Sequence, residues 1–379
     1  MQRYAGESLG DSPRIVVLGS CKVGNFVVST PLLRGLKERW PDATMDFIGS
    51  AVTADFESNC PWIDWRCSWD SREASAGLDL LQTLEQRQNQ CGPVSLAINL
   101  DGFNPVTQVV ASWLRPLFIA GGTLTNDLRR TFPWGDLPQQ RFLEEPDWDS
   151  PAFLKRHSSW LSTNSISELF CRLAWIDTDV HAIALSSTAP NFSVPDVLIH
   201  CTTARAAKVW PFAHWRSVID ACNHRDLSVG LVGSPPKAQQ EAYNAGDGED
   251  WLLQTTALID LRGQTTLMEL AGACRQTAAV VSVDAGPMHI AAAVGTPTLA
   301  LVGNDADGTG ASPIRLWLPR TRNLSRTVSP HSCDRCASNR FRNDGCLVEG
   351  HPCMSDVLPE QVIDWLSAVP GLQERWYAH

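Results

Sequence analysis

The sequence predicts an α/β protein built from two domains, each with a doubly wound parallel sheet. Two observations support this class. The 379 residues are too many for one ordinary core and suit two domains of roughly 150 to 190 residues each. In both halves of the chain, short apolar runs stop at a glycine or an aspartate and are followed by helical spacing of apolar residues. This alternation is typical of β-α-β units.

The N-terminal half opens with one such unit. Residues 14–18 form a nearly continuous apolar run that ends at Gly19, as expected of a buried parallel strand before a tight turn. Helical spacing follows at residues 30–40, and a strand-like run follows at residues 44–48. The rest of this half contains a tryptophan-rich polar stretch at residues 61–90. Two further strands are predicted after it, at residues 95–100 and 117–120.

The C-terminal half repeats the pattern after a change of composition. Around residues 186–195, Ser, Thr, Pro and Asn dominate, which predicts an interdomain linker. Four strands are predicted beyond it, at residues 197–200, 227–232, 278–283 and 298–302. Helices are predicted at residues 215–223, 267–274, 288–294 and 358–377.

These elements set the predicted domain boundaries. The N-terminal domain spans residues 1–187, the linker 188–196 and the C-terminal domain 197–355. The C-terminal domain includes a cysteine-rich loop at residues 331–354. Residues 356–379 are predicted as a C-terminal helix.

Composition excludes several classes of protein. With 44% hydrophobic and 19% charged residues, the chain is expected to be globular, and no window approaches the roughly 18 to 20 apolar residues of a membrane span. The first 13 residues have no apolar signal core, so a cytoplasmic location is expected. A net charge of −10 disfavours nucleic acid as a partner, because no dense basic face is present to neutralise phosphates.

The strongest candidate site follows the predicted strand at residues 278–283. This strand leads through Asp284 and Gly286 directly into a helix start, where free backbone N–H groups can bind an anion. Asp284 would accept hydrogen bonds from these amides or from a sugar hydroxyl, and Gly286 would let the backbone approach a diphosphate. His289 is expected to face the same pocket. From spacing alone, an N-cap role for Asp284 and a structural role for His289 explain the pattern equally well.

The residues of this segment form a long and specific string. From Asp284 the chain reads Asp-Ala-Gly-Pro-Met-His-Ile-Ala-Ala-Ala-Val-Gly-Thr-Pro. This string resembles the donor-site signature of glycosyltransferase family 9, the heptosyltransferases. The resemblance extends over residues 14–365, with matches in the same order at Gly24, Thr30-Pro31-Leu-Leu, Trp40-Pro41, Lys208-Val-Trp210-Pro211 and Asp260-Leu-Arg-Gly263.

The resemblance implies a GT-B fold, in which two Rossmann-like domains face each other across a cleft. It places the nucleotide-sugar donor mainly in the C-terminal domain and the acceptor toward the N-terminal domain. Thr202, Thr203 and Lys208 would hold the diphosphate, since hydroxyls and a lysine supply donors and positive charge where the leaving ADP gathers negative charge. The other implied donor-binding residues are Asp284, Ala285, Gly286, Pro287, Met288 and His289.

The catalytic base is less evident than the donor site. Inverting transfer needs a base for the acceptor hydroxyl, and family 9 commonly has aspartate directly after the first-loop glycine. Here Asn25 follows Gly24, and an amide is not a base at neutral pH. Asp101, at a predicted strand end, aligns with a region where a related subgroup places its base. We therefore predict Asp101 as the base, Asn25 as an acceptor-orienting residue and Lys208 as the catalytic cation; a turn-capping role for Asp101 is the alternative.

A cluster of cysteines lies in the loop at residues 331–354. Four sulfurs at this spacing can close a tetrahedral iron or zinc site. Only one Cys-x-x-Cys pair is present, so disulfides or free thiols are alternatives, and His331 and His351 flank the set as substitute ligands. The subgroup that heptosylates autotransporter proteins is similar in using four cysteines for iron. The predicted metal ligands are Cys333, Cys336, Cys346 and Cys353.

Three functions follow from the resemblance. The first is transfer of heptose from ADP-heptose to the lipopolysaccharide core, with at most peripheral membrane contact. The second is O-heptosylation of serine in a bacterial autotransporter or adhesin, and the third is nucleotide-sugar binding with weak or no turnover. No organic cofactor is expected in any of them, and homo-oligomerisation is compatible with each. A NAD-dependent dehydrogenase is disfavoured because the opening loop lacks Gly-x-Gly-x-x-Gly.

Overall fold

The structure is a computed structural model that describes residues 1–70, 76–145, 147, 150–163, 165–243, 247–303 and 313–377. The chain divides into two compact units, Met1–Ala184 and Leu185–His379. Each unit contains one six-stranded sheet whose neighbouring strands are all parallel. The α/β class predicted from the sequence is therefore confirmed in both halves.

The sheet of the first unit has the strand order β1-β6-β5-β2-β3-β4. Strand β2 lies at its centre and is buried along its whole length, which is why its sequence reads as one apolar run. The six strands are β1 (Gln2–Arg3), β2 (Arg14–Leu18), β3 (Thr44–Gly49), β4 (Trp65–Ser68), β5 (Leu96–Asn99) and β6 (Phe118–Gly121).

Seven α-helices and a 3₁₀ turn at Phe142–Glu144 are assigned within the described part of the first unit. The helices are α1 (Val23–Arg39), α2 (Ala54–Ser58), α3 (Ala76–Cys91), α4 (Pro105–Trp113), α5 (Pro138–Arg141), α6 (Pro151–Arg156) and α7 (Ile166–Leu173).

The sheet of the second unit has the equivalent order β12-β11-β10-β7-β8-β9. Its central strands are again fully buried. The strands are β7 (Val197–His200), β8 (Val229–Leu231), β9 (Ile259–Asp260), β10 (Ala279–Val283), β11 (Thr298–Leu301) and β12 (Leu324–Thr327).

Ten α-helices and a 3₁₀ turn at Ala206–Lys208 are assigned within the described part of the second unit. The helices are α8 (Phe212–Asn223), α9 (Pro236–Ala242), α10 (Gly248–Thr255), α11 (Leu267–Gln276), α12 (Gly286–Ala293), α13 (Ile314–Trp317), α14 (Arg335–Ser338), α15 (Pro352–Ser355), α16 (Pro359–Ser367) and α17 (Gln373–Tyr377).

Helix α1 begins at Val23, seven residues before the position expected from the sequence, and it continues through Pro31. Proline has no N–H, so the carbonyl of Val27 lacks its usual helical donor. The hydroxyl of Thr30 donates to that carbonyl at 2.7 Å and replaces the missing bond. The Thr-Pro pair that suggested a helix start therefore lies inside the helix.

Two further expectations from the sequence need correction. The polar stretch at residues 61–90 contains β4 and most of α3, neither of which had been predicted. The C-terminal helix predicted at residues 358–377 is two helices, α16 and α17, because Pro370 and Gly371 lie between them and both disfavour helix. Among the described residues, no helix combines the length and apolar character that crossing a membrane requires.

Candidate functional site

Both sheets have a topological switch point at the carboxyl ends of their central strands. In the first unit the strand order reverses between β2 and β5, and in the second it reverses between β7 and β10. Open α/β sheets bind ligands at such points, in the crevice between the loops that leave the two strands. The predicted residues Asn25 and Asp101 follow β2 and β5, whereas Thr202 and Asp284 follow β7 and β10. Sequence and topology thus select the same loops.

An ion pair between Lys208 and Asp284 joins the two loops of the second switch point. The ammonium of Lys208 lies 3.1 Å from the Oδ2 atom of Asp284 and donates to its backbone carbonyl, also at 3.1 Å. The lysine and aspartate side chains are 17% and 14% exposed, so both can still meet a ligand. Trp210, fully buried two residues after the lysine, anchors this segment by donating its Nε1–H to the carbonyl of Val357 at 2.8 Å.

The N-terminus of α12 lies directly beyond this ion pair. Its N-cap is Ala285, which has no side-chain acceptor, and Pro287 occupies the first turn. The N-cap position thus falls on Ala285 and not on Asp284, whose carboxylate contacts Lys208. Helix N-termini with uncapped amides attract anions.

His289 lies on the first turn of α12 and is 5% exposed. Burial lowers its pKa to about 4; Asp284 opposes this shift and Lys208 reinforces it. The imidazole is therefore neutral at pH 7. Its Nδ1 atom has no hydrogen-bond partner within the described parts of the chain. A buried, unpaired polar atom close to Lys208 and Asp284 is suited to a ligand hydroxyl or phosphate oxygen.

The two threonines predicted to hold the diphosphate are already engaged within the protein. Thr202 is fully buried, and its Oγ1 atom accepts from Nε2 of Gln239 at 2.6 Å. Thr203 is also buried, and its hydroxyl donates to the carbonyl of Asp284 at 3.4 Å. Their hydroxyl groups thus fix the loop that follows β7 to its neighbours.

Behind Thr202 lies a polar network that the sequence reasoning missed. Gln239 donates to the carboxylate of Glu249 at 2.9 Å, and Arg262 donates to the same carboxylate at 3.2 Å. Burial raises the pKa of Glu249 to about 7, although Arg262 opposes the shift. Arg262 lies in the stretch Asp260-Leu-Arg-Gly263, which resembles family 9, so the sequence offered a signal for this residue. Gln239 and Glu249 carried none, because tertiary packing alone brings them to the loop.

The first switch point places Asn25 on the first turn of α1. Asn25 lines a small pocket of about 10 Å³, which is room for roughly one water molecule. Leu100, the neighbour of Asp101, lines the same pocket together with Gly19 and Phe170. The loops after β2 and β5 therefore meet here, as the strand order requires.

Asp101 lies in the turn between β5 and α4. Its Oδ2 atom accepts from Nδ2 of Asn104 at 3.0 Å, and its backbone carbonyl accepts from the hydroxyl of Thr107 at 2.8 Å. The N-cap of α4 is Asn104, whose side chain accepts from the amide of Val106. Asp101 thus supports the capping residue without capping the helix itself, and its side chain is half-buried.

All twelve cysteines, each in a described part of the chain, are free thiols. Cys346, His351 and Cys353 place their ligand atoms within 4.8 Å of one another. Cys333 and Cys336 lie outside this group. Both act on Cys353, whose pKa is raised to about 12 chiefly by burial, with contributions from Cys346, Cys333 and Cys336.

The chemistry of this group suits a soft metal ion. The Nε2 atom of His351 lies 2.8 Å from the carbonyl of Ala207, which assigns the proton to Nε2 and leaves Nδ1 as the ligating atom. Cys346 accepts a hydrogen bond from the amide of Val348 at 3.4 Å, and Cys336 accepts one from Nδ2 of Asn343 at 3.1 Å. The donor set fits iron or zinc, with His351 as a candidate that the sequence offered only as a substitute.

Comparisons with known proteins agree with this architecture. The profile of glycosyltransferase family 9 (heptosyltransferase) matches residues 175–339. Lipopolysaccharide heptosyltransferase 2 of Escherichia coli K12 is 26% identical over 372 residues, which cover 94% of this chain and 98% of that protein.

Solved structures show the same fold. A family 9 glycosyl transferase from Veillonella parvula DSM 2008 superposes with a TM-score of 0.67 at 16% identity, covering 97% of this chain and 98% of the other. The iron-containing dodecameric glycosyltransferase TibC from enterotoxigenic E. coli H10407 superposes with a TM-score of 0.56 at 13% identity, covering 96% and 80%, and TibC has also been solved with ADP-D-β-D-heptose.

The two parallel sheets and these matches make the chain a glycosyltransferase with the GT-B fold. More narrowly, residues 175–339 are similar to glycosyltransferase family 9, and nearly the whole chain is similar to a lipopolysaccharide heptosyltransferase.

Proposed function

We propose that this chain transfers heptose from ADP-heptose to a hydroxyl group of the lipopolysaccharide core, with inversion at the anomeric carbon. The observation that carries the proposal is the group formed by Lys208, Asp284 and His289 at the second switch point. It offers one cation, an uncapped helix N-terminus and an unpaired imidazole nitrogen to a single ligand. One relative that matches along nearly the whole chain is a lipopolysaccharide heptosyltransferase.

The donor diphosphate would bind across the loops after β7 and β10. Lys208 neutralises charge on the leaving phosphate, and the amides at Gly286 and Met288 bind the same group at the start of α12. Ala285 and Pro287 complete this turn, and Thr202 and Thr203 hold the opposite loop in place. Removing one such charge-stabilising donor from an enzyme site typically lowers the rate by about 10²- to 10³-fold.

The acceptor hydroxyl would be activated by Asp101. Its carboxylate takes the hydroxyl proton, the oxygen attacks the anomeric carbon, and the bond to the β-phosphate oxygen breaks as ADP leaves. Asn25 lines the same switch point and would orient the acceptor through its amide. Support for Asp101 comes from its position at the carboxyl end of β5 and from the neutral residue at position 25.

The reaction as proposed uses no organic cofactor. An iron or zinc ion held by Cys346, Cys353 and His351, with a fourth sulfur from Cys333 or Cys336, would stabilise the cysteine loop. The donor site of Lys208 and backbone amides has no paired carboxylates for Mg²⁺ among its described residues.

The proposed setting follows from the acceptor. A lipopolysaccharide core is available to this enzyme at the cytoplasmic face of the inner membrane, where peripheral contact suffices. The chain's negative charge disfavours nucleic acid as a partner. Assembly into a homo-oligomer is part of the proposal, since TibC, which shares the fold, is dodecameric.

A second candidate function is O-heptosylation of serine in an autotransporter or adhesin. The cysteine and histidine group favours it, because iron-containing TibC shares the fold. The second candidate is also favoured because the proposed base is Asp101 and not a carboxylate in the first loop.

One experiment separates these candidates. The purified chain is incubated with ADP-heptose and either a heptose-free lipid core or a serine-rich adhesin passenger polypeptide, and heptose addition is measured by mass spectrometry. Transfer to the lipid core supports the first candidate, and transfer to the polypeptide alone supports the second. Donor binding without transfer to either acceptor would identify a non-catalytic relative. Lys208→Ala should abolish any transfer that is seen, and Lys155→Ala, at an exposed lysine on α6 of the first unit, serves as the control.

A further inference from the structure

The short 3₁₀ turn that carries Lys208 is held by the cysteine loop rather than by its own sheet. The amide of Ala207 donates to the carbonyl of Asp344 at 2.8 Å, and the carbonyl of Ala207 accepts from Nε2 of His351 at 2.8 Å. Both backbone groups of the residue before Lys208 are thus bonded to the loop. The amide of Ala206 adds a third bond, to Oδ1 of Asp344 at 3.3 Å.

Side chains make the same connection. Arg205 donates from Nε to the carbonyl of Asn343 at 2.8 Å, and its guanidinium lies 6.0 Å from the ring centroid of Phe341. Ala207 and Cys336 are both buried, and they pack together with the ring of Phe341. The contact between turn and loop is therefore both polar and apolar.

The loop residues that contact the 3₁₀ turn are themselves held close to the cysteine sulfurs of the loop. Asn343 donates through Nδ2 to Sγ of Cys336 at 3.1 Å and to the carbonyl of Gly345 at 2.7 Å. His351 adopts a left-handed conformation, with φ 51° and ψ 48°, between Cys346 and Cys353. This conformation is strained for a non-glycine residue, so contacts such as the hydrogen bond to Ala207 must hold it there.

From this chain of contacts we infer that the cysteine loop positions Lys208 for the donor diphosphate, and that Arg205 and Asp344 are the positioning residues that connect this loop to the donor site. The inference rests on the proposed function in one respect, because it takes Lys208 to bind the diphosphate. Neither Arg205 nor Asp344 is assigned contact with the ligand. Their effect is exerted through the backbone at Ala206 and Ala207, which fixes where the Lys208 ammonium lies relative to Asp284.

The test measures ADP binding by calorimetry on the full chain. Lys208→Ala should weaken ADP about tenfold or more, because it removes a charge-assisted contact. Arg205→Ala and Asp344→Ala should each weaken ADP about three- to tenfold. Asp344→Asn keeps the Oδ1 acceptor for the amide of Ala206 and should bind ADP like the parent chain. Ser338→Ala, an exposed change in the same loop, is the matched control and should also leave binding unchanged.

Double variants separate positioning from direct contact. If Arg205 acts through Lys208, Arg205→Ala combined with Lys208→Ala should bind ADP no more weakly than Lys208→Ala alone. Strictly additive losses, or equal losses for Asp344→Asn and Asp344→Ala, would overturn the inference. Unchanged binding in Lys208→Ala would refute the proposed donor site instead. Loss of binding in Lys208→Ala with parent-like binding in Arg205→Ala and Asp344→Ala would refute the positioning role alone. Circular dichroism of each variant identifies any loss of folding. If Arg205→Ala misfolds, Arg205→Lys replaces it, and its double variant with Lys208→Ala is again compared with Lys208→Ala alone.

Discussion

Replacing Glu249 by glutamine tests the buried network behind the donor loop. The Glu249 side chain is buried, and its pKa is raised from 4.5 to about 7. The unfolded chain releases this proton near pH 4.5, whereas the folded chain keeps it until about pH 7. Between these values the folded state binds more protons, so the free energy of unfolding falls as pH rises through this window.

The size of the effect follows from the width of the window. One pKa unit corresponds to about 1.36 kcal/mol, so a shift from 4.5 to about 7 removes on the order of 3 kcal/mol between pH 4.5 and pH 8. Glu249→Gln is neutral at every pH and keeps an acceptor for Gln239. Arg262 retains ion pairs with Asp250 at 3.0 Å and Asp260 at 2.9 Å. The variant should therefore lose this part of the pH dependence.

The assay is urea unfolding of both chains at pH 4.5, 6 and 8. The pKa of His289 is lowered to about 4, so its contribution to the free energy of unfolding increases as pH rises in the same range. It is common to both chains, so its contribution cancels in their difference. We expect the variant to gain about 3 kcal/mol on the parent chain between pH 4.5 and pH 8. Equal pH dependence in the two chains would refute a proton held on Glu249.

Three further predictions concern other parts of the molecule. Asp101→Asn should lower turnover by about 10²-fold or more while ADP affinity stays unchanged, and steady-state kinetics with normal turnover would refute its role as base. Purified without a histidine tag, the chain should carry iron or zinc by elemental analysis, and Cys346→Ser should lose the metal whereas the exposed Cys21→Ser should keep it; a metal-free parent chain contradicts this. Thr30→Val should lower the free energy of unfolding by about 1–3 kcal/mol, because the buried carbonyl of Val27 and the partly buried amide of Ala184 lose their partner; Thr30→Ser should restore it, and equal stability of the two variants contradicts the argument.

The fold was largely predictable because its signals are local. Each central strand is a short apolar run, and each ends at a residue that permits a turn, as at Gly19 and Asp284. The beginning of α1 was not predictable, because the hydroxyl that replaces the missing N–H of Pro31 must be seen in three dimensions. The strand β4 was missed because its four residues are only half-buried and carry mixed polarity.

The candidate site divides in the same way. Residues in one continuous string, from Asp284 to His289, could be found from the sequence. Contacts between distant segments could not. Lys208 was selected by its motif, but its pairing with Asp284 depends on β7 and β10 being neighbours in the sheet. Glu249 comes to the site from a separate helix, and its local sequence has no special feature. His351 was offered by the sequence only as a substitute ligand, because its distance to Cys346 and Cys353 depends on the folding of the loop.

The ion pair between Lys208 and Asp284 also limits the free energy that an anionic ligand would gain by binding to Lys208. The ammonium is already neutralised before any nucleotide arrives, so an incoming anion exchanges one partner for another. The net gain is only the difference between the two contacts. A diphosphate carries more negative charge than the single carboxylate that it displaces, whereas a nucleoside without phosphates carries none. In the proposed reaction, the Asp284 carboxylate would pair with Lys208 again as ADP leaves, so the exchange that limits binding would also assist release.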